Sequence, residues 1–108
     1  MVPHSLPHLL SSNLCLAAGA PRTAWLPWAA AAIHHGLLLR HFDLATILAM
    51  LPKWQPVVVV VTRALFAEHS QELVAGCARV GARLVVVEPE VAPGELAEAL
   101  RSRLPQVA

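Results

Sequence analysis

Pro56-Val57-Val58-Val59-Val60-Val61-Thr62 is the stretch on which the fold turns. Its five consecutive valines are β-branched, which suits extended backbone, and they show no alternation of apolar and polar positions. A strand with one wet face alternates. A strand without alternation is buried on both faces, the setting of a central strand in a parallel sheet. Leu84-Val85-Val86-Val87 repeats the pattern between Gly81 and Pro89 and reads as a second buried strand beside the first. Parallel neighbours need a crossover, and Phe66 to Val80 supplies one. There Phe66, Leu73, Val74, Cys77 and Val80 recur at helical spacing, while Glu68, Gln71, Glu72 and Arg79 take the other face. Gly81 stands where a helix C-cap is wanted.

Working outward, Asp43 is a suitable N-cap for a helix in which Leu44, Ile47, Leu48 and Leu51 follow the i, i+3, i+4, i+7 rule, stopped by Pro52. Pro93 fits the first turn of a last helix, Gly94 to Leu104, with Leu96, Leu100 and Leu104 inward. In the first 42 residues a helix is expected from Ala24 to about His35, with Pro27 tolerated in its first turn. Asn13 to Ala17 and Leu37 to Phe42 are the flanking short strands, and residues 1–11 form an irregular leader. This alternation predicts a single α/β domain over residues 1–108: a small doubly wound, mainly parallel sheet of about four strands with helices on both faces.

Composition narrows the partners. The chain is 56% hydrophobic and 14% charged, against roughly 45–50% and about 25% in ordinary globular domains. That excess calls for an apolar surface covered by a partner. Eight basic residues face seven acidic ones, scattered without a stripe, which argues against nucleic acid, whose phosphates need clustered positive charge. Cys15 and Cys77 sit in apolar segments at a spacing that fits no metal or redox motif, so both read as small buried hydrophobes in a reducing compartment, the cytoplasm. The leader lacks the Lys or Arg of a signal peptide. The uncharged window Thr23 to Leu39 is shorter than the roughly 20 residues of a spanning helix, which argues against a membrane.

In doubly wound sheets, ligands bind beyond the carboxyl ends of the strands. The candidate ligand-binding residues are therefore Gly19, Arg22 and Thr23 in the loop before the first helix, with Thr62, Arg63 and Glu88 after the two valine-rich strands. The first loop holds neither of the glycine patterns that cradle phosphates. Cys77 to Arg83 has the C-x5-R spacing of a cysteine phosphatase, but Cys77 falls near the C-terminal end of its helix, where the dipole opposes a thiolate. Six histidines are generous for this length. His34, His41 and Asp43 approach one another only if the turn between them allows it, and surface or cap roles are the simpler reading. No catalytic residue, cofactor or metal is implied.

The segment Asp43 to Leu104 resembles part of a response-regulator receiver. Leu51-Pro52-Lys53-Trp54-Gln55-Pro56 leading into the valine run is similar to the receiver's helix and central strand, and Gly81 to Val87 followed by Ala92 to Leu100 to its last strand and helix. The resemblance implies a phosphoryl-accepting aspartate at the end of the central strand, where this chain has Val61-Thr62. It also implies a lysine after the last strand, where Glu88 stands. The acidic pair that holds magnesium is missing and one βα unit is absent, so the resemblance implies a degenerate receiver. Much the same segment, with Thr62-Arg63-Ala64-Leu65, also resembles the N-terminal half-domain of two-domain glycosyltransferases.

The functional expectation is a non-catalytic regulatory or protein-interaction domain of receiver-like or Rossmann-like form, acting through an apolar surface. Trp25, Trp28 and Ile33, on a helix apolar all round, are its expected interface with a protein partner or a second copy of the chain. The alternative is a small-ligand or nucleotide-binding domain using the loops at the strand ends.

Overall fold

The structure is a computed structural model that describes residues 13–101. Four strands alternate with four helices: β1 (Leu14–Ala18), α1 (Trp25–Ile33), β2 (Leu38–His41), α2 (Leu44–Trp54), β3 (Val58–Thr62), α3 (Arg63–Val80), β4 (Arg83–Val87) and α4 (Pro93–Arg101). All three strand pairs are parallel and the sheet order is β2-β1-β3-β4. The doubly wound sheet expected from the valine runs is what forms. The leader, and the expected continuation of the last helix to Leu104, lie outside the described residues.

Both faces of the sheet carry helices because both faces of its central strands are apolar. On one face Cys15 and Ala17 of β1, Val58 and Val60 of β3, and Val85 of β4 pack with Trp28 of α1 and Leu96 of α4. On the other, Leu16, Val59, Val61 and Leu84 pack with Ile47 and Leu51 of α2 and Leu73 and Cys77 of α3. The valine run is divided residue by residue between two cores, which is why it cannot alternate.

Three helix boundaries differ from their sequence-based expectations. The second helix does not stop at Pro52 but runs on to Trp54. A proline there forfeits only its own bond to the residue four back. The last turn is held by Trp54, whose ring lies 4.9 Å from that of Phe42, and by Gln55, left-handed at φ 47°, whose N–H donates to the Leu51 carbonyl. Helix α3 starts at Arg63, directly on the end of β3, and not at Phe66; it breaks at His69 (φ −131°, ψ 29°) before continuing to Val80. Thr23 does not cap α1, because a 3-10 turn over Arg22–Ala24 intervenes and Ala24 takes the cap position. Asp43 does occupy the cap of α2, though its carboxylate accepts a short hydrogen bond from the Thr46 hydroxyl and not from a backbone N–H. Gly81 ends α3 in the left-handed conformation, as its placement predicts.

Cys15 and Cys77 are both buried and free. Burial pushes their thiols up to about 12 and about 11. Thiolate, the reactive form, is therefore scarce at neutral pH. In the native protein both cysteines are expected to react with iodoacetamide far more slowly than after unfolding. Rapid stoichiometric labelling of Cys77 without unfolding contradicts the register of α3. Among the described residues no helix is long and apolar enough to cross a membrane.

Candidate functional site

Helix α1 leaves β1 towards one face of the sheet, and α3 leaves the adjacent β3 towards the other. The chain thus changes direction between β1 and β3, and the crevice beyond their carboxyl ends is where such folds seat ligands. Gly19 and Thr62 meet there. Gly19 adopts φ +94°, and a Cβ placed on it would lie 2.3 Å from Thr62 Oγ1. The crevice is therefore filled by the side chain of the chain's own Thr62, which is itself buried.

The other candidate residues are parcelled out around this contact. Arg63 Nε donates to Glu88 Oε2 at 2.7 Å, bridging the ends of β3 and β4. Both side chains are half exposed, so the pair is worth at most about 1 kcal/mol. Its consequence is local: the Arg63 guanidinium is taken up by Glu88. Arg22 instead lies over the Trp25 ring at 5.4 Å. Thr23 lines a cleft of about 430 Å3 between the connections that follow β1 and β4, together with Pro21, Pro27, Trp28, Glu90 and Pro93. Four of its lining residues are prolines and its one charged group is Glu90, which suits a neutral or cationic occupant better than a phosphate.

An aromatic ladder at the ends of β1 and β2 escaped the sequence reading. Trp25 stacks on His41 with centroids 4.7 Å apart and planes 4° from parallel, and the Arg22 guanidinium lies over the same Trp25 ring. Trp25 Nε1 donates to the Ala20 carbonyl at 3.2 Å, tying α1 to the loop after β1. A signal for this was present in the register, since His41 is two residues after the core residue Leu39 and shares its face of the sheet, the one α1 covers. His34 stands on the last turn of α1 with its ring edge towards His35, apart from His41 and Asp43, which line a smaller cleft of about 280 Å3 with Gly19 and Trp25. Among the described residues no three His, Cys, Asp or Glu side chains gather as a metal site.

Burial holds His41 below its ordinary 6.5, opposed by its bond to the Trp25 carbonyl. That carbonyl, 3.3 Å from Nε2, can only accept. The neutral ring therefore carries its proton on Nε2. Nδ1 is buried without a partner, so protonating it places an unsatisfied N–H inside the protein. The unfolded chain binds this proton near pH 6.5 and the folded chain resists it. Stability is thus full above about pH 6.5 and falls as the pH drops towards the lowered folded value. Urea unfolding between pH 5 and pH 8 tests this with a His41→Phe variant, which keeps the stack and is expected to lose this part of the acid sensitivity. An unchanged slope in that variant refutes the assignment.

Of the expected interface residues, Trp25 is 40% exposed and Ile33 68%, whereas Trp28 is 1% exposed. Trp28 is thus a core residue, placed on the inner side of α1 by the helical period and packed towards the sheet. Leu26, 82% exposed, takes its place on the outer face. Compared with protein-family models, curated proteins and solved structures, the chain matches none.

Proposed function

We propose that this is a non-catalytic interaction domain of receiver-like or Rossmann-like form that self-associates through the outer face of α1. The observation that carries this reading is the exposure of Leu26 and Ile33 on a helix with no charged residue from Trp25 to Ile33. Two copies of such a face meet without like-charge repulsion, and a two-fold contact uses the same patch twice. Burying a large aliphatic side chain contributes about 1.5–3 kcal/mol. Two from each copy supply about 6–12 kcal/mol, against about 4–15 kcal/mol lost on association. The dimer is accordingly weak and concentration-dependent. The strand order supports the receiver-like form, and Thr62 and Glu88 in place of the acceptor and the lysine support a non-catalytic, regulatory role.

Sedimentation across the micromolar range tests the proposal. The native chain is expected to sediment increasingly as a dimer, and a Leu26→Glu, Ile33→Glu double variant as a folded monomer. A native chain that is monomeric throughout removes the interface. The second reading, a small-ligand domain, is favoured by the cleft at Thr23 and Glu90, whose volume of about 430 Å3 falls within the roughly 300–1,000 Å3 of ligand pockets.

A further inference from the structure

A parallel sheet is normally covered on both faces, and among the described residues one strand is not. On the face packed by α2 and α3 the core takes residues from β1, β3 and β4 but none from β2. β2 is also an edge strand. Its Leu39 enters the core under α1, while Leu38 and Arg40, on the opposite face, stay exposed. Leu38 is 49% exposed and the adjacent Phe42 37%. The result is a trough on the side of the sheet away from α1, lined by Leu14, Leu16, Arg40, Phe42 and Trp54, with a volume of about 200 Å3.

Two features decide what fits. At about 200 Å3 the trough is smaller than the roughly 300–1,000 Å3 pockets that enclose small ligands, so it suits one large apolar side chain anchored from a larger partner. Aromatic-lined pockets of this kind are where interfaces concentrate their binding energy, and here the Phe42 and Trp54 rings, packed together with centroids 4.9 Å apart, form the aromatic part of the lining. The second feature is charge. Arg40 is the one charged residue of the lining, and among the described residues it has no hydrogen-bond or ion-pair partner. A guanidinium at the rim of an apolar trough selects a carboxylate, which it holds by short, charge-assisted hydrogen bonds.

We infer that the exposed face of β2 docks an amphipathic helix of a partner protein, one large apolar side chain seated in the trough against the packed rings of Phe42 and Trp54 and an adjacent Asp or Glu pairing with Arg40. Such a helix completes the missing cover over β2. This surface lies on the opposite side of the sheet from the outer face of α1, so it stands or falls independently of self-association there.

The test uses two synthetic amphipathic helical peptides with the same leucine stripe, one with a glutamate polar face and one with lysine, titrated into the 15N-labelled full chain. The glutamate peptide is expected to shift the amides of Leu38 to Phe42 and the Trp54 indole, binding at least about tenfold more tightly than the lysine peptide, equivalent to about 1.4 kcal/mol. Arg40→Ala is expected to abolish the preference and Arg40→Glu to reverse it; the site is exposed, and each variant's amide spectrum shows that it is folded. Equal binding of the two peptides, shifts confined to Leu26 and Ile33, or no shift with either peptide overturns the inference. So does a concentration-dependent shift of the Trp54 indole without peptide, which assigns the trough to a second copy.

Discussion

Trp28→Ala lowers the free energy of unfolding by about 3–5 kcal/mol, the range for emptying the site of a fully buried aromatic. Trp28 is the largest of the fully buried side chains, at 1% exposure, and belongs to the core that joins α1 and α4 to the sheet. Domains of this size have about 5–15 kcal/mol in all, so the variant sits near the threshold of folding. Trp25→Ala is the control. Trp25 is 40% exposed and its main contact is the stack on His41, worth about 0.5–1.5 kcal/mol beyond area. Trp28→Phe is expected to cost far less than Trp28→Ala, because the indole Nε1 it removes has no hydrogen-bond partner to lose. Denaturant midpoints for the three variants decide this. If Trp25→Ala proves the more damaging of the two alanine variants, the inward and outward sides of α1 are exchanged.

Gly19→Ala is the second large effect, at about 2–6 kcal/mol. Two costs combine at this residue. An L side chain at φ +94° is strained by about 1–3 kcal/mol, and the new methyl overlaps Thr62 Oγ1 at 2.3 Å, an overpacking worth about 1–3 kcal/mol. Gly36 and Gly81 separate the two terms, since they have φ +74° and +76° with nothing within 4 Å of their would-be Cβ atoms. Their alanine variants should cost about 1–2 kcal/mol, the left-handed penalty alone. In Gly19→Ala, Thr62→Ala the steric part is relieved while the strain stays, so the double-mutant cycle should return a favourable coupling of about 1–2 kcal/mol. A Gly19→Ala variant no less stable than Gly36→Ala means that β1 and β3 do not close on each other at their carboxyl ends.

That contact also explains why the candidate site was only partly legible. The expected loops do lie at one edge of the sheet, because topology puts every βα connection of a parallel sheet there. Their side chains contact each other: Gly19 meets Thr62, Arg63 meets Glu88, and Arg22 meets Trp25. No spacing in the chain encodes those pairings. The first two join residues brought together by the sheet order, whereas Arg22 and Trp25 meet across the single turn that opens α1.

By itself the sequence determined the sheet, its parallel sense and the placing of helices on both faces. These follow from short-range signals: a non-alternating valine run from Val57 to Val61, helical spacing from Leu73 to Cys77, and a glycine at position 81 whose φ of +76° ends a helix. Tertiary structure alone decided which apolar residues are core and which are surface. Trp25, Leu26, Trp28 and Ile33 are equivalent on a helix apolar all round, and only the sheet beneath α1 draws Trp28 in and turns Leu26 out. The same holds for β2, where Leu38 and Leu39 are identical residues. One lies beneath α1 and the other on a face that no helix among the described residues covers, because hydrophobicity is a property of a residue and burial a property of its neighbours.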